Sequence, residues 1–598
     1  MEPSTERRDF HVALAAMAIA LFTFSFTFLY WNRFLAPSSG ATSFYAAERI
    51  LAGEVPYRDF LFLTPPLHAL KIAALIRLFG ERLAVPRIEA MFERTILSVM
   101  LFVWLARCCR ISASFLATMV AMVVFACDMA DSLANYHHDS VFWAVGAGLF
   151  ASLSLDNPRS VPLSVASGLF AGLCFATKQT TGAAVLVSIP TLVTWWTLRA
   201  RKGGIPHRFL VLFLLGWSLP IAALLIWLAR AHALGAFWAS VFLNGGSKGS
   251  LWTLLTRPFL QMPGMILLSL GVVAAVSLLL RRFGRRQTSR AESPIRTILA
   301  VCCSAAVLGC GAWTARSAAA PALFSRFIWF HWFLILLALV SCGLVFLVLS
   351  YRPIEADSSK LRGRRWFLSG LSFAIAYALA LSWPAYSPMV VPALALVVAI
   401  ALDRLEASAP GAMCALGVVV VSLVAYIHAS YKLTVPFSWM FWQEQPVIQA
   451  THRSRLPQLQ GLLISEPTLD ITERITSIIQ ANSGPRDSVL VYPYFPIFYV
   501  LSRRNPPTYS FNHFVDVCPD PVCASDAALT LRARPAIIVY MVESVPLLTA
   551  LEAAYRGGRP SRSRDVVDAI ERLAKDYRLL YTCAVPGSSR RVDVYGRK

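Results

Sequence analysis

Negative charge is scarce in this chain: 33 Asp and Glu stand against 55 Lys and Arg in 598 residues, and charged residues of both signs make up only 15%. With 57% hydrophobic residues and a mean hydropathy of +0.58, that scarcity excludes a soluble enzyme and describes a polytopic membrane protein. A gathered basic surface is lacking as well. The Lys and Arg recur between apolar runs, at Arg7-Arg8, Arg107 with Arg110, Arg199 to Arg208, Arg281 to Arg296, Arg352 to Arg365, and Arg404. Such dispersal argues against a nucleic-acid partner and marks the cytoplasmic ends of spans. Cysteine motifs are also few. Nine of the twelve cysteines, Cys108 through Cys414, lie in or beside apolar runs, where cysteine acts as a small hydrophobe. Of the rest, Cys518 and Cys523 close a small disulfide if their region is extracytoplasmic, and two cysteines alone do not make a zinc site. The first apolar run has no small-residue cleavage site, so it reads as a retained span and not a signal peptide.

Apolar runs long enough to span number about thirteen. They lie near 11–31, 86–106, 111–127, 140–155, 161–177, 181–198, 208–229, 258–280, 296–314, 327–350, 366–382, 388–402 and 411–430. An N-terminus inside makes every basic loop cytoplasmic and puts the long first loop, residues 32–85, and residues 431–598 outside. The expected organisation is a transmembrane region over 1–430 and an extracytoplasmic α/β domain over 431–598. In the latter, helices are expected over 469–481, 496–503, 524–534 and 563–576, alternating with strands over 488–492, 536–541, 578–583 and 592–595. That region shows no internal repeat, low-complexity tract or glycine-rich phosphate loop.

The first loop organises the chain. Thr42 or Ser43 is placed to N-cap a helix ending at Gly53, flanked by Glu48 and Glu54. Pro56-Tyr57-Arg58-Asp59 reads as a turn, and Thr64-Pro65-Pro66 starts a second helix, with Pro in its first turn, that stops at Gly80. That helix is too short to span and suits the membrane interface. Two further outside segments carry chemistry: Asp128 and Asp131 with Tyr136-His137-His138-Asp139, and Lys178-Gln179-Thr180-Thr181-Gly182.

The stretch from Ala46 to Phe60, AAERILAGEVPYRDF, followed by Pro65-Pro66, resembles the first extracytoplasmic loop of bacterial membrane glycosyltransferases of the protein O-mannosyltransferase and aminoarabinose transferase kind (glycosyltransferase family 39-like), which have the GT-C fold. Ala176 to Gly182 and Val489 to Pro496 are similar to further recurring stretches of that family, and the layout of spans, first loop and C-terminal domain matches it across nearly the whole chain. The resemblance implies an inverting transfer of a sugar from a polyprenyl-phosphate donor to a lipid, glycan or protein acceptor, outside the bacterial inner membrane, normally without a nucleotide sugar. One departure matters. Relatives carry an acidic residue just after the proline that is here Pro37, whereas no carboxylate lies between Arg33 and Glu48 in this chain. Either Asp59 or Glu48 then supplies the base, or the activity is altered.

Transfer from a lipid phosphate needs a carboxylate to take the acceptor's proton and cations to meet the charge growing on the departing phosphate. Asp59, beside aromatics in a prolyl turn, is the leading candidate base, with Asp139 and Glu48 as further catalytic candidates. A loop aspartate capping a turn, an interfacial acid and a solvated helix face are the corresponding structural readings. Arg58, Lys71 and Lys178 are candidate phosphate holders, with Tyr57 and His138 as further substrate contacts. Glu89, Glu93 and Arg94 read as structural pairs along one helix. No cofactor is certain, a divalent metal is compatible with His137, His138 and Asp139, and membrane lipids are expected partners. A lipid-linked glycan transporter or flippase has the same kind of composition. Transporters, however, tend to show repeats and midplane charges, and here the charges cluster at the outer face. A non-catalytic envelope-assembly protein is the third reading, kept open by the missing early acid.

Overall fold

The computed structural model describes residues 5–35, 41–125, 135–157, 159–199, 205–243, 342–343, 359–380, 391–408, 437–439, 442–515, 517–542, 544–588 and 590–598. The expected spans near 258–280, 296–314, 327–350 and 411–430 lie outside or almost wholly outside these residues, as does the segment after Pro37.

Apolar composition builds a helical bundle. Its members are α1 (Thr5–Phe28), α4 (Ala84–Ala106), α5 (Ile111–Phe125), α6 (Tyr136–Asp156), α7 (Val161–Thr177), α8 (Gln179–Arg199) and α9 (Ile205–Arg230), together with helices Ser359–Ala380 and Val391–Ser408. Three described helices, Glu6–Phe28, Gln179–Leu198 and His207–Arg230, are long and apolar enough to cross a membrane. Leu97, Trp104, Val141, Phe213 and Leu371 share the bundle's core. Helices α7 and α9 approach so closely that a Cβ on Gly168 would stand 1.9 Å from the Phe213 carbonyl oxygen. Small residues permit that approach where two apolar helices gain little from hydrophobic association alone.

Between α1 and α4 lie α2 (Thr42–Leu51) and α3 (Leu67–Phe79). Neither Thr42 nor Ser43 caps α2; Ala41 holds the cap position, and the Thr42 hydroxyl hydrogen-bonds the Tyr494 hydroxyl at 2.8 Å instead. Helix α3 starts after Pro66, so the proline pair precedes it. Both exits follow expectation, with Gly53 and Gly80 at φ +91° and +94°, a region glycine enters without steric cost.

The C-terminal residues form a short hairpin, β1 (Phe437–Trp439) with β2 (Trp442–Glu444), and four longer strands, β3 (Val489–Tyr492), β4 (Ile537–Met541), β5 (Tyr577–Ala584) and β6 (Arg591–Arg597). The sheet order is β3-β4-β6-β5, with β3 and β4 parallel, Val491 opposite Val539, and the other pairs antiparallel. Strands β3 and β4 are buried at every residue, which is why they read as unbroken apolar runs. Helices Glu466–Ala481, Ile497–Ser502, Asp520–Ala533, Val545–Arg556 and Ser563–Ala574 accompany the sheet. The helix Val545–Arg556 and the β1–β2 hairpin are absent from the sequence reading. Cys518 and Cys523 form a disulfide.

This sheet shares one core with the first loop: Phe44, Phe60, Ile72 and Ile76 pack with Val489, Ile537 and Val539. Backbone bonds reinforce the joint, from Leu61 N–H to the Tyr509 carbonyl (3.0 Å) and from Phe34 N–H to the Leu463 carbonyl (2.8 Å). Glu444 anchors the hairpin, accepting from the hydroxyls of Ser465 (3.0 Å) and Thr468 while only 1% exposed.

Burial pushes the Glu444 carboxyl up from 4.5 to about 7, against the lowering effect of those hydrogen bonds. Below about pH 4.5 it is protonated in both folded and unfolded chains. As pH rises toward 7 the unfolded chain ionises first, so stability is lost across that window, by about 3 kcal/mol for a shift of this size. Thermal unfolding in lipid nanodiscs between pH 4.5 and 7.5 should therefore show a steeper fall in midpoint for wild type than for Glu444→Gln; parallel profiles contradict it.

Candidate active site

Helix α6 begins where Asn135, extended at φ −142°, accepts the His137 N–H at 3.0 Å. That cap sets His137, His138 and Asp139 in the first turn, where unpaired N–H groups favour an anion. The Asp139 side chain is 4% exposed, and its Oδ2 receives His68 Nδ1 at 2.8 Å and Lys71 Nζ at 2.8 Å. His68 and Lys71 are three residues apart on α3, hence on one face. The Lys71 ammonium also donates to Glu89 Oε1 and Glu93 Oε2, both at 2.9 Å, from adjacent turns of α4. Burial works against the charge on Lys71, but Asp139, Glu93 and Glu89 outweigh it and hold its pKa well above the ordinary value.

Three carboxylates from two helices thus converge on one ammonium carried by a third. Glu89 and Glu93 belong to this cluster: the i, i+4 spacing noted in the sequence aims both carboxylates at Lys71 on α3, a contact across helices that the sequence reading did not contain. His68 was also missed. Because the Asp139 carboxylate accepts, His68 Nδ1 donates, which leaves a lone pair on Nε2; that atom is buried and has no hydrogen-bond partner among the described residues. Tyr136 stands edge-on to the His68 ring, with centroids 6.4 Å apart. Lys178, the C-cap residue of α7, brings Nζ to 3.0 Å from His137 Nδ1, so the expected outer segments at 136–139 and 178–182 do meet. His138 is buried in the same turn, at 4% exposed.

The remaining candidates sit elsewhere. The Asp59 carboxylate closes its own turn, accepting from Val55 N–H (2.7 Å) and from Arg58 Nε and Nη2 (2.9 and 2.7 Å). The Arg58 hydrogen bonds lower its pKa, which weakens it as a base. Arg58 also reaches the Ala231 carbonyl at 3.2 Å, and Tyr57, 1% exposed, packs against Phe62 and Phe237. Glu48 lines a separate cavity beside Glu81, and burial followed by the Glu81 hydrogen bond raises its pKa. Among the described residues no group of three or more His, Cys, Asp or Glu is arranged to hold a metal ion. In the carboxylate cluster the Lys71 ammonium occupies the point of convergence.

No protein-family model and no curated protein sequence matches the chain. Solved structures do. The Archaeoglobus fulgidus oligosaccharyltransferase AglB, in complex with an inhibitory peptide and a dolichol-phosphate, is similar over 100% of this chain and 75% of its own, at 12% identity and a TM-score of 0.50. The same enzyme in complex with Zn and sulfate is similar over 98% and 73%, at 11% identity and a TM-score of 0.50. ArnT of Cupriavidus metallidurans bound to undecaprenyl phosphate is similar over 98% and 97%, at 13% identity and a TM-score of 0.49. The chain has the GT-C fold of these membrane glycosyltransferases.

Removing the central cation leaves three carboxylates facing one another. Lys71→Met should cost about 3–5 kcal/mol, lowering the thermal midpoint in nanodiscs, and adding Glu93→Gln should recover part of it. A midpoint unchanged in the single variant contradicts the assignment of Lys71 as the neutralising group.

Proposed function

We propose that the chain is an inverting glycosyltransferase that moves a sugar from a polyprenyl-phosphate carrier to an acceptor hydroxyl, on the side of the membrane opposite its basic loops. The observation that carries this reading is the His68–Asp139 pair, whose buried Nε2 has no partner among the described residues, set at one end of a GT-C bundle. In this scheme the acceptor oxygen attacks the anomeric carbon as the carbon–oxygen bond to phosphate breaks. The acceptor's proton passes to His68 Nε2, and the electron pair leaves with the polyprenyl phosphate. Asp139 fixes the His68 tautomer and favours the imidazolium that forms, while Lys71 holds Asp139 against Glu89 and Glu93. Lys71 is thereby a positioning group and no longer a phosphate holder, since three carboxylates around it disfavour an anion. Lys178 is the cation assigned to the leaving phosphate. The likeness to an oligosaccharyltransferase solved with dolichol-phosphate supports a lipid-linked donor here.

Sidedness follows from charge. Asp156 at the far end of α6 pairs with Arg107 and Arg364, and Asp403 pairs with Arg365 at 2.6 Å. Basic residues from two segments, Arg107 after α4 and Arg364-Arg365 in the helix Ser359–Ala380, thus gather at one end of the bundle, which supports a cytoplasmic face there and an extracytoplasmic face for the His68 site, the first loop and the C-terminal α/β domain.

Transfer of radiolabelled sugar from a panel of polyprenyl-phosphate donors should fall by about 10²–10⁴ in kcat for His68→Ala. Asp139→Asn should likewise collapse it, and Asp59→Asn should change it by less than about threefold if Asp59 makes only the turn contacts of an exposed loop pair. Collapse in Asp59→Asn with an active His68→Ala moves the base to Asp59; no transfer with any donor sinks the reading.

A further inference from the structure

A cleft of about 810 Å³ lies between β2 with the residues after it, the first two turns of the helix Glu466–Ala481, and the turn joining β5 to β6. That volume is of small-molecule size, about 300–1,000 Å³. Strand alternation decides what faces it. Trp442 and Glu444 are buried while Gln443 and Gln445 are half-buried, so the two amides share the opposite face. Exposed Gln449 adds a third amide to the wall. None of the three side chains has a hydrogen-bond partner among the described residues, and none of their polar atoms is sealed from solvent. Gln443 is also held in place. Its N–H donates to the Pro586 carbonyl at 3.0 Å, and its side chain lies against Gly587, at φ +64°, where an added Cβ would stand 2.3 Å from the Gln443 Cβ. Glycine at that turn is what admits the glutamine.

Charge is nearly absent from the wall. Glu444 is the one ionisable residue among the described lining, and its carboxyl group is turned to the hydroxyls of Ser465 and Thr468. An incoming ion therefore meets no free counter-charge. Pro446, Pro467, Pro586 and Ile471 supply apolar surface beside the amides. A primary amide both donates and accepts, which matches a hydroxyl, whereas an anion uses the donors alone.

The height of the cleft is set by Arg33, five residues past the end of α1 at Phe28. Its Nη1 donates to the carbonyls of Ala450 (3.2 Å) and Val447 (3.5 Å), and the Asn32 carbonyl accepts from Leu463 N–H at 2.8 Å. Because α1 is long and apolar enough to cross a membrane, the wall at 445–449 stands beside the membrane boundary, at the level of a headgroup layer about 5–8 Å deep.

We propose that this cleft binds the saccharide headgroup of a neutral glycolipid, with the amides of Gln443, Gln445 and Gln449 bonding its hydroxyls and the proline and isoleucine surface covering a C–H face of a ring. As the docking place of a lipid-borne acceptor it rests on the transfer reading above; as a saccharide site it does not.

The test is saturation-transfer NMR on the full chain in phosphatidylcholine nanodiscs, free of sugar-based detergent, with melibiose as the probe. Glycylglycine and inorganic phosphate serve as competitors, and a second set of nanodiscs contains digalactosyldiacylglycerol. Saturable melibiose binding that the glycolipid displaces is the expected result. It should weaken about two- to tenfold in Gln443→Met or Gln445→Met, the size of one neutral hydrogen bond, and be lost in the cleft-filling Ala584→Trp, with thermal midpoints unchanged. No saturable binding, binding that none of the three variants weakens, or displacement by glycylglycine or phosphate at equal concentration overturns the proposal. Melibiose binding that the glycolipid leaves untouched overturns the lipid source. Failed transfer with intact, glycolipid-sensitive melibiose binding supports the cleft and sinks the transfer reading alone; active transfer without melibiose binding removes the cleft alone.

Discussion

One ammonium holds the candidate site together. Lys71 stands among Asp139, Glu89 and Glu93, at 2.8, 2.9 and 2.9 Å, in an environment where like charges cannot be left to water. Two carboxylates come from α4 and one from α6, so the cation fixes how these helices stand against α3. Without it the cluster must take up protons or move apart. The histidine beside it inherits that rigidity, because the Asp139 oxygen that accepts from Lys71 also accepts from His68.

Lys71 can do this only because α3 is itself pinned. A helix of 13 residues has little stability of its own in water. Here Ile72 and Ile76 enter the core of the C-terminal sheet while His68 and Lys71 face the bundle. The C-terminal strands therefore contribute to the site without placing a side chain in it. Phe60 adds a second tie, since its ring joins the same core and lies under the Arg49 guanidinium. The cluster around Lys71 and the Arg49 guanidinium are thus held by one apolar core.

Helix positions were largely legible in the sequence because apolar length is a local property. The runs at 86–106 and 161–177 appear as Ala84–Ala106 and Val161–Thr177, and glycine stops at 53 and 80 need only the left-handed exit they permit. The site was less legible. Asp139 and Lys178 stood out as charges at the outer ends of apolar runs, and Lys71 as a cation in the first loop. Glu89 and Glu93 read as structural residues, but their contact with Lys71 was not legible because that partner comes from another helix. His68 carries no local signal at all; its meaning depends on a contact across 71 residues. Asp59 drew attention through its aromatic and prolyl surroundings, and those same features make the tight turn that consumes its carboxylate.

Helix α6 carries an acid near each end, and the two are not equivalent. Asp139 lies in the first turn, where the unpaired N–H groups and helix field favour a negative charge. Asp156 closes the last turn, where the carbonyls disfavour one, and it is there that the chain supplies two guanidiniums, Arg107 and Arg364. One acid is held partly by the helix and is available to hold others; the second is compensated by two neighbouring arginines. The same polarity that makes Asp139 a stable hydrogen-bond acceptor for His68 and Lys71 disfavours the charge on Asp156, and two arginines offset it at the opposite end of the helix.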